Sequence, residues 1–245
     1  MTLFSDPIIL NDLYKSYPSV AGTYKTVVSI KDLQIEYGSF LCIVGKSGCG
    51  KTTLLRLLAG LETPSYGKIA GLPSKVSLVF QEARLLPWFT VAGNITLARK
   101  GSKQLPTQQN SHTDLARLLE DLELKEAAGL YPSQLSGGMA QRVSLGRTLF
   151  YDADLILMDE PFSALDYFTR QHLQNLVLRL FQDGKKTIVF VTHDVEEALL
   201  LGDRLVVMEA GRIKADMSLT LPRPRTSADP ELQTMRQKIL RLLGS

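Results

Sequence analysis

Gly45-Lys46-Ser47-Gly48-Cys49-Gly50-Lys51-Thr52 has the spacing G-x-x-x-x-G-K-[ST], the pattern of a loop built to hold a chain of phosphates. Its three glycines let the backbone curl with N–H groups turned inward, so phosphates approach without meeting a Cβ. A helix starting at this point adds unpaired N–H groups and the positive end of its dipole. Lys51 then reaches the β- and γ-phosphates. The Thr52 hydroxyl takes one place on Mg²⁺, an ion that prefers few protein ligands plus phosphate oxygens. The alternative is a plain glycine-rich turn. Its flanks argue against that, with apolar Phe40-Leu41-Cys42-Ile43-Val44 before it and helical Thr53-Leu54-Leu55-Arg56-Leu57-Leu58-Ala59 after it.

Other residues offer chemistry to match. Leu155-Ile156-Leu157-Met158 is an apolar run of strand length that ends in Asp159-Glu160. Asp159 at a strand tip suits holding Mg²⁺ through water, and Glu160 then stands where it can orient and deprotonate an attacking water. Two solvated acids at a strand end are the plainer reading. Gln81 follows the short buried-strand pattern Val76-Ser77-Leu78-Val79-Phe80, and His193 follows Thr187-Ile188-Val189-Phe190-Val191. In an open parallel sheet both lie at the carboxyl edge where ligands sit. From there Gln81 can touch Mg²⁺ or the water, and His193 can donate to the γ-phosphate. Alone, Gln81 is as readily a strand end. His112, in a polar loop, and His172, in a helical run, read as solvent-facing. Tyr17 either stacks on a base or fills the core, and spacing does not decide.

Ser136-Gly137-Gly138 precedes the helical run Val143, Leu145, Leu149 and so forms a second helix N-terminus able to hold an anion. A chain with one phosphate loop has use for it if it faces the nucleotide of another copy. Ser163-Ala164-Leu165-Asp166 opens a further helix, with capping as its plain role.

The elements that must position these residues can be followed along the chain. Residues 8 to 37 alternate loosely around turn residues, which predicts short antiparallel strands ahead of the phosphate loop. Glu82 to Gln134 reads as a helical insert: Leu115, Leu118, Leu119 and Leu122 recur at helical spacing, with Ser111 and Thr113 as caps, after a polar loop from Gly101 to Thr113. Trp88, the only tryptophan, is either core or an aromatic anchor for a partner. Asp194 and Glu197 form a capping-box pattern. The tail is stiff Leu221-Pro222-Arg223-Pro224-Arg225, then a helix capped by Asp229 with Pro230 in its first turn.

With 245 residues, 44% of them hydrophobic, the chain has enough apolar matter for one large α/β domain. A net charge of +3 is too mild for a nucleic-acid groove, and no nucleic acid is expected as a partner. Cys42 and Cys49 fit no metal-ligand spacing, which points to a reducing compartment. Met1 to Asp6 lacks a basic segment leading into an apolar one, and no apolar run nears the roughly 18 residues that cross a bilayer. Work at a membrane would require another chain as anchor.

Taken in this order, the phosphate loop, Gln81, Leu135-Ser136-Gly137-Gly138 with Gln141-Arg142, Asp159-Glu160, Ser163 to Asp166 and His193 resemble the nucleotide-binding subunit of ATP-binding cassette (ABC) transporters. The resemblance covers nearly the whole length. It implies a P-loop NTPase core of α/β class with a mainly parallel sheet, an N-terminal antiparallel β-subdomain and a helical subdomain insert. The implied division is one domain over 1–245: core and β-subdomain at about 1–81 and 150–217, helical subdomain at about 82–149, tail helix at about 218–245. It further implies that ATP with Mg²⁺ is bound by Tyr17 on adenine and by Gly45, Lys46, Ser47, Gly48, Cys49, Gly50, Lys51, Thr52 and Thr53, with Thr52, Gln81 and Asp159 toward the metal and Glu160, His193 and Gln81 in catalysis. Ser136, Gly137, Gly138 and Asp166 would serve the ATP held by a second copy in a head-to-tail homodimer. The implied partners are integral membrane permease subunits and, indirectly, a periplasmic or surface solute-binding protein, with the chain on the cytoplasmic side of a bacterial inner membrane.

A narrower likeness rests on Gln81-Glu82-Ala83-Arg84-Leu85-Leu86-Pro87-Trp88, on Asp159 to Asp166 with Thr169-Arg170, and on Leu221 to Arg225. These are similar to importers of nitrate, sulfonate, taurine and related small solutes. Departures from the family pattern are Ala140, Gly146, Thr148 and a short segment between Gly67 and Val76, which puts the antiparallel hairpin there in question. Rival readings fare less well. A chromosome-type cassette needs a long coiled-coil insert that is absent here, a non-catalytic ATP sensor does not need Glu160 and His193, and an exporter is opposed by the subfamily likeness.

Overall fold

The computed structural model describes residues 6–19, 22–100, 115–184 and 186–244. Ser111, His112, Thr113 and the polar loop from Gly101 lie outside these residues. In chain order the elements are β1 (Ile8–Pro18), β2 (Tyr24–Ile35), β3 (Phe40–Val44), α1 (Lys51–Leu58), β4 (Tyr66–Ala70), β5 (Val76–Val79), α2 (Val91–Lys100), α3 (Leu115–Asp121), α4 (Gly137–Tyr151), β6 (Leu155–Asp159), α5 (Tyr167–Gly184), β7 (Thr187–Thr192), α6 (Val195–Leu201), β8 (Arg204–Glu209), β9 (Arg212–Ser218) and α7 (Pro230–Gly244).

Six strands form the central sheet in the order β5-β6-β7-β3-β8-β9, parallel except for the antiparallel edge strand β9. A parallel sheet is covered on both faces, which is why its strands read as unbroken apolar runs. Phe40, Cys42 and Val44 of β3 point into one cluster, with Ile156, Met158, Ile188 and Phe190. Leu41 and Ile43 point into the other, with Leu155, Leu157, Val189 and Val191. Each such side chain contributes roughly 1.5–3 kcal/mol on burial. Because β3, β6 and β7 run the same way, the phosphate loop, Asp159-Glu160 and His193 emerge together at one edge.

A second, three-stranded antiparallel sheet has the order β2-β1-β4. The strands expected to be short are long, 11 residues in β1 and 12 in β2, because a bulge between Lys15 and Ser16 lets the ladder continue through Pro18. Its buried residues Ile8, Leu10, Leu13, Val28, Ile30, Leu33 and Ile35 share one core with Leu54, Leu55, Leu57 and Leu58 of α1. The short segment after Gly67 holds one strand, β4, paired antiparallel to β1, and the chain then enters β5. No second strand of a hairpin intervenes among the described residues.

The α/β class with mainly parallel sheet and antiparallel N-terminal sheet is therefore as expected, and helices α2, α3 and α4 pack together beyond β5. Two departures from the family pattern have packing reasons here. A Cβ on Gly146 would stand 2.5 Å from Leu122 Cδ1 and 3.2 Å from Ile95 Cδ1, so the glycine allows α2 and α4 to cross closely. Thr148, 2% exposed, has its hydroxyl 3.2 Å from that of Ser77 on β5.

Candidate functional site

The loop from Gly45 to Gly50 leaves β3 and enters α1 with its geometry set by close backbone approaches. Gly50 has φ 107°, and a Cβ there would lie 2.4 Å from the Val27 carbonyl oxygen. A Cβ on Gly45 would meet the Met208 carbonyl at 2.4 Å and Cys49 Sγ at 2.6 Å. Lys46, Ser47 and Gly48 are exposed at the crest, and Thr52 and Thr53 are half-buried in the first turn of α1. Lys51 is buried, its ammonium donating to Gly45 O at 2.7 Å and Lys46 O at 3.1 Å, so it lies inside the curl of the loop. Burial pushes the Cys49 thiol pKa up, against the pull of neighbouring Lys51, which suits a packing role.

Asp159 ends β6, 5% exposed, with the Thr52 hydroxyl beside it. Burial raises the Asp159 carboxyl above its ordinary value, with Thr52 opposing, Glu160 adding to the rise, and Lys51 and Arg56 drawing it down. A buried carboxylate of this kind gains from a cation. The donors are hard oxygens, one hydroxyl and one carboxylate, and among the described residues no group of three or more His, Cys, Asp and Glu forms a metal cage. That set fits Mg²⁺ completed by phosphate oxygens and water, as the ion prefers.

Glu160 stands one residue past the strand in the left-handed region, φ 47°, uncommon for a residue with a Cβ. Its N–H donates to the Val191 carbonyl at 2.9 Å, fixing the turn against the end of β7. Glu160 Oε2 is 2.9 Å from His193 Nδ1, with the imidazole 64% exposed and the carboxylate 17% exposed. An ionised carboxylate only accepts, so Nδ1 carries the hydrogen. The other ring nitrogen, Nε2, is left free of this contact.

A cleft beside this pair is lined by Glu160, Ser163, Arg170, Thr192, His193 and Glu197. The Asp194 carboxylate caps α6 by accepting from Glu196 N at 2.9 Å and Glu197 N at 3.3 Å. The reciprocal half of the expected capping box is missing. Glu197 turns inward instead and accepts from Gln174 Nε2 at 3.0 Å, which ties α6 to α5.

Tyr17 is half-buried, its hydroxyl donating to Glu62 at 2.7 Å. Burial and then the bond to Glu62 raise its pKa, while the nearby Thr53 side chain opposes them, so the hydroxyl lies by the first turn of α1. Gln81 is exposed, past Phe80 at the end of β5, and the Phe80 carbonyl accepts from Gln141 Nε2 of α4 at 3.1 Å. Arg147 of α4 donates to the Ala83 and Arg84 carbonyls. The segment carrying Gln81 is thereby fastened to the helix that begins at Ser136.

Ser136, Gly137 and Gly138 do not converge on these groups. Ser136 caps its own helix, accepting from Met139 N at 3.2 Å, and Ser136 and Gly137 face solvent. Gly138 lies against Leu165, where a Cβ would be 3.4 Å from Leu165 Cδ2. Asp166 is exposed and accepts from Thr169 N at 3.0 Å as the cap of α5, a bond that draws its pKa down. Glu62 and Gln174 were not anticipated, because each bonds a partner far away in sequence.

Residues 29–163 match the family model described as ABC transporter. The aliphatic sulfonates import ATP-binding protein SsuB of Granulibacter bethesdensis is 47% identical over 219 residues, covering 89% of this chain and 89% of that protein. A protein named SsuB 1 in Agrobacterium fabrum is 42% identical, covering 89% and 79%. Among solved structures, the dimeric ATP-binding cassette MJ0796 in a post-hydrolysis state bound to ADP and Pi superposes with a TM-score of 0.77 at 28% identity, covering 88% of this chain and all of that one. A match over more than half of the chain, relatives above 40% identity and a shared fold agree: the chain belongs to the ABC transporter family.

Proposed function

We propose that this chain is the ATP-hydrolysing subunit of a binding-protein-dependent importer whose load is a small sulfonate or a related small anion. One observation carries the reaction: Glu160 and His193 meet at 2.9 Å at the sheet edge that also bears Asp159 and the phosphate loop. Glu160 takes the proton of the attacking water as general base. His193 holds that carboxylate in place and also serves the γ-phosphate.

Backbone N–H groups from Gly45 to Thr53, including Lys46, Ser47, Gly48, Cys49 and Gly50, cradle the phosphates. Lys51 exchanges its two carbonyl acceptors for phosphate oxygens. Thr52, Gln81 and Asp159 hold Mg²⁺, which supplies charge neutralisation on those oxygens. Tyr17 stacks on the adenine. Exposed Ser136 and Gly137, with Gly138 and Asp166, serve the ATP of a second copy, so two chains close head to tail over two nucleotides. Residues 82–149 form the helical subdomain on the core at 1–81 and 150–217, and 218–245 form the tail.

The load is inferred from the relatives named for aliphatic sulfonates. Permease subunits hold the chain at the cytoplasmic face of the inner membrane, in line with the lack, among the described residues, of a helix long and apolar enough to span a bilayer. A solute-binding protein acts on the far side, and no nucleic acid takes part. Glu160→Gln tests the chemistry. It keeps shape and hydrogen bonding but not basicity, so turnover should drop by about 10²- to 10⁴-fold while ATP binding persists. Turnover at the wild-type rate would remove Glu160 from the role of base.

A further inference from the structure

The segment Leu221 to Arg225 and the helix after it reach toward the catalytic histidine through α6. This helix has seven residues, follows His193 and Asp194 directly, and spans about 10 Å at 1.5 Å per residue. A body so short couples its two ends, so contacts at its far end bear on His193, which stands between it and β7.

That far end is held by the tail. The last carbonyls of a helix have no partner within it, and cations near them are favoured. Arg225 Nη1 donates to Leu199 O at 2.7 Å and to Gly202 O at 2.6 Å, while its Nη2 and Nε hold Leu219 O and Leu221 O in the tail itself. Arg223 donates to Leu201 O, pairs with Asp203 at 2.6 Å, and lies over the Phe181 ring of α5 at 5.4 Å. Two guanidinium groups thus close on three carbonyls at one helix end. Burial and the neighbouring Arg223 lower the Arg225 pKa, with Asp203 opposing them.

The near end is held from the same tail. Glu196, in the first turn of α6, accepts from Ser227 Oγ and has Arg236 at 3.6 Å, and Gln233 Nε2 bonds the Ser227 carbonyl. Leu232 and Ile239 of α7 are fully buried in the core that contains Ala198, Leu199 and Leu201.

We propose that Arg225, supported by Arg223, is a positioning residue for ATP hydrolysis: by gripping the C-terminal carbonyls of α6 it sets His193 on Glu160. This rests on the reading of Glu160 and His193 as the catalytic pair. A lysine in place of Arg225 keeps the charge but cannot fork across Leu199 O and Gly202 O while also bonding Leu219 and Leu221.

The test measures steady-state ATP turnover of the full chain as wild type, Arg225→Ala, Arg225→Lys, His193→Ala and the double variant Arg225→Ala/His193→Ala. It is accompanied by thermal unfolding and ¹⁵N-histidine NMR of the His193 tautomer, assigned by the resonance lost in His193→Ala. Arg225→Ala should lower kcat by roughly 10- to 100-fold, the scale on which misplacing a reacting group acts, with the ATP KM little changed. The Nδ1–H signal of His193 should weaken, and Arg225→Lys should recover only part of the rate. In the His193→Ala background the arginine change should have no further effect, since both act through one contact. An equal loss in both backgrounds, or an unchanged rate and tautomer, would overturn the proposal. Should Arg225→Ala not fold, Arg236→Gln at the other grip must show the same dependence on His193, and its absence counts equally against the idea. A wild-type rate in His193→Ala would refute the catalytic pair itself, a separate failure.

Discussion

Lys51 holds two carbonyls of its own loop and acts on the nearby Asp159 carboxylate, so its charge is directed into the loop where phosphates would lie. Removing a charge-assisted donor gives up about 1.5–3 kcal/mol. Lys51→Ala should therefore weaken nucleotide binding by roughly 10- to 100-fold in a fluorescent-nucleotide titration, and unaltered affinity would contradict its role. Glu197 gives a test in pH. Burial raises its carboxyl above the ordinary 4.5, although bonds from Thr192 and Gln174 and the charge of Arg170 pull the other way. A carboxyl raised by folding favours the fold while protonated and weakens it as pH rises through its folded pKa. Glu197→Gln should thus unfold at a higher temperature than wild type above that pH, by roughly 2–4 °C per kcal/mol relieved, with the difference closing as pH falls toward 4.5. A constant difference across the range would show that Glu197 carries no such strain. The placement of Lys51, Asp159 and Glu160 at the ends of their strands and helix was legible because it is set by a short window of sequence. The Tyr17–Glu62, Glu197–Gln174 and Glu160–His193 contacts were not, since each joins residues that only the fold brings together.

Among the elements, the turn from β3 into α1 has little freedom. Adding a methyl at Gly50 meets the Val27 backbone at 2.4 Å and forces φ 107° on a residue with a Cβ, and backbone cannot step aside as a side-chain tip can. Gly50→Ala should abolish nucleotide binding and lower the melting temperature, whereas Gly146→Ala, which meets only the ends of Leu122 and Ile95, should leave binding intact. A Gly50→Ala protein that binds ATP normally would mean that the loop does not use this geometry. Strand and helix identity was readable from apolar runs and periodicity, as in β3, β6, β7 and α3. The length of β1 and β2 was not, because a bulge leaves no local pattern, and neither was the inward turn of Glu197, which satisfies the capping-box spacing while packing decides otherwise.

At the scale of the whole molecule, Ser136 and Gly137 stand exposed at the start of α4, where the proposed second copy would meet them. Glu160→Gln with ATP should shift the chain from monomer to dimer in light scattering, and Ser136→Arg in that background should prevent it. A variant that stays monomeric with saturating ATP would argue against closure over nucleotide. Strands β3, β5, β6 and β7 were plain from the sequence, but the sheet order β5-β6-β7-β3-β8-β9 was not, because crossover helices separate strands that become neighbours. Transport is tested most directly by uptake of a small alkanesulfonate into proteoliposomes that hold the chain with its permease subunits and solute-binding protein. Wild type should accumulate the sulfonate only with ATP on the side of this chain, and Glu160→Gln should not accumulate it. Uptake that is equal without ATP, or equal with Glu160→Gln, would contradict the account.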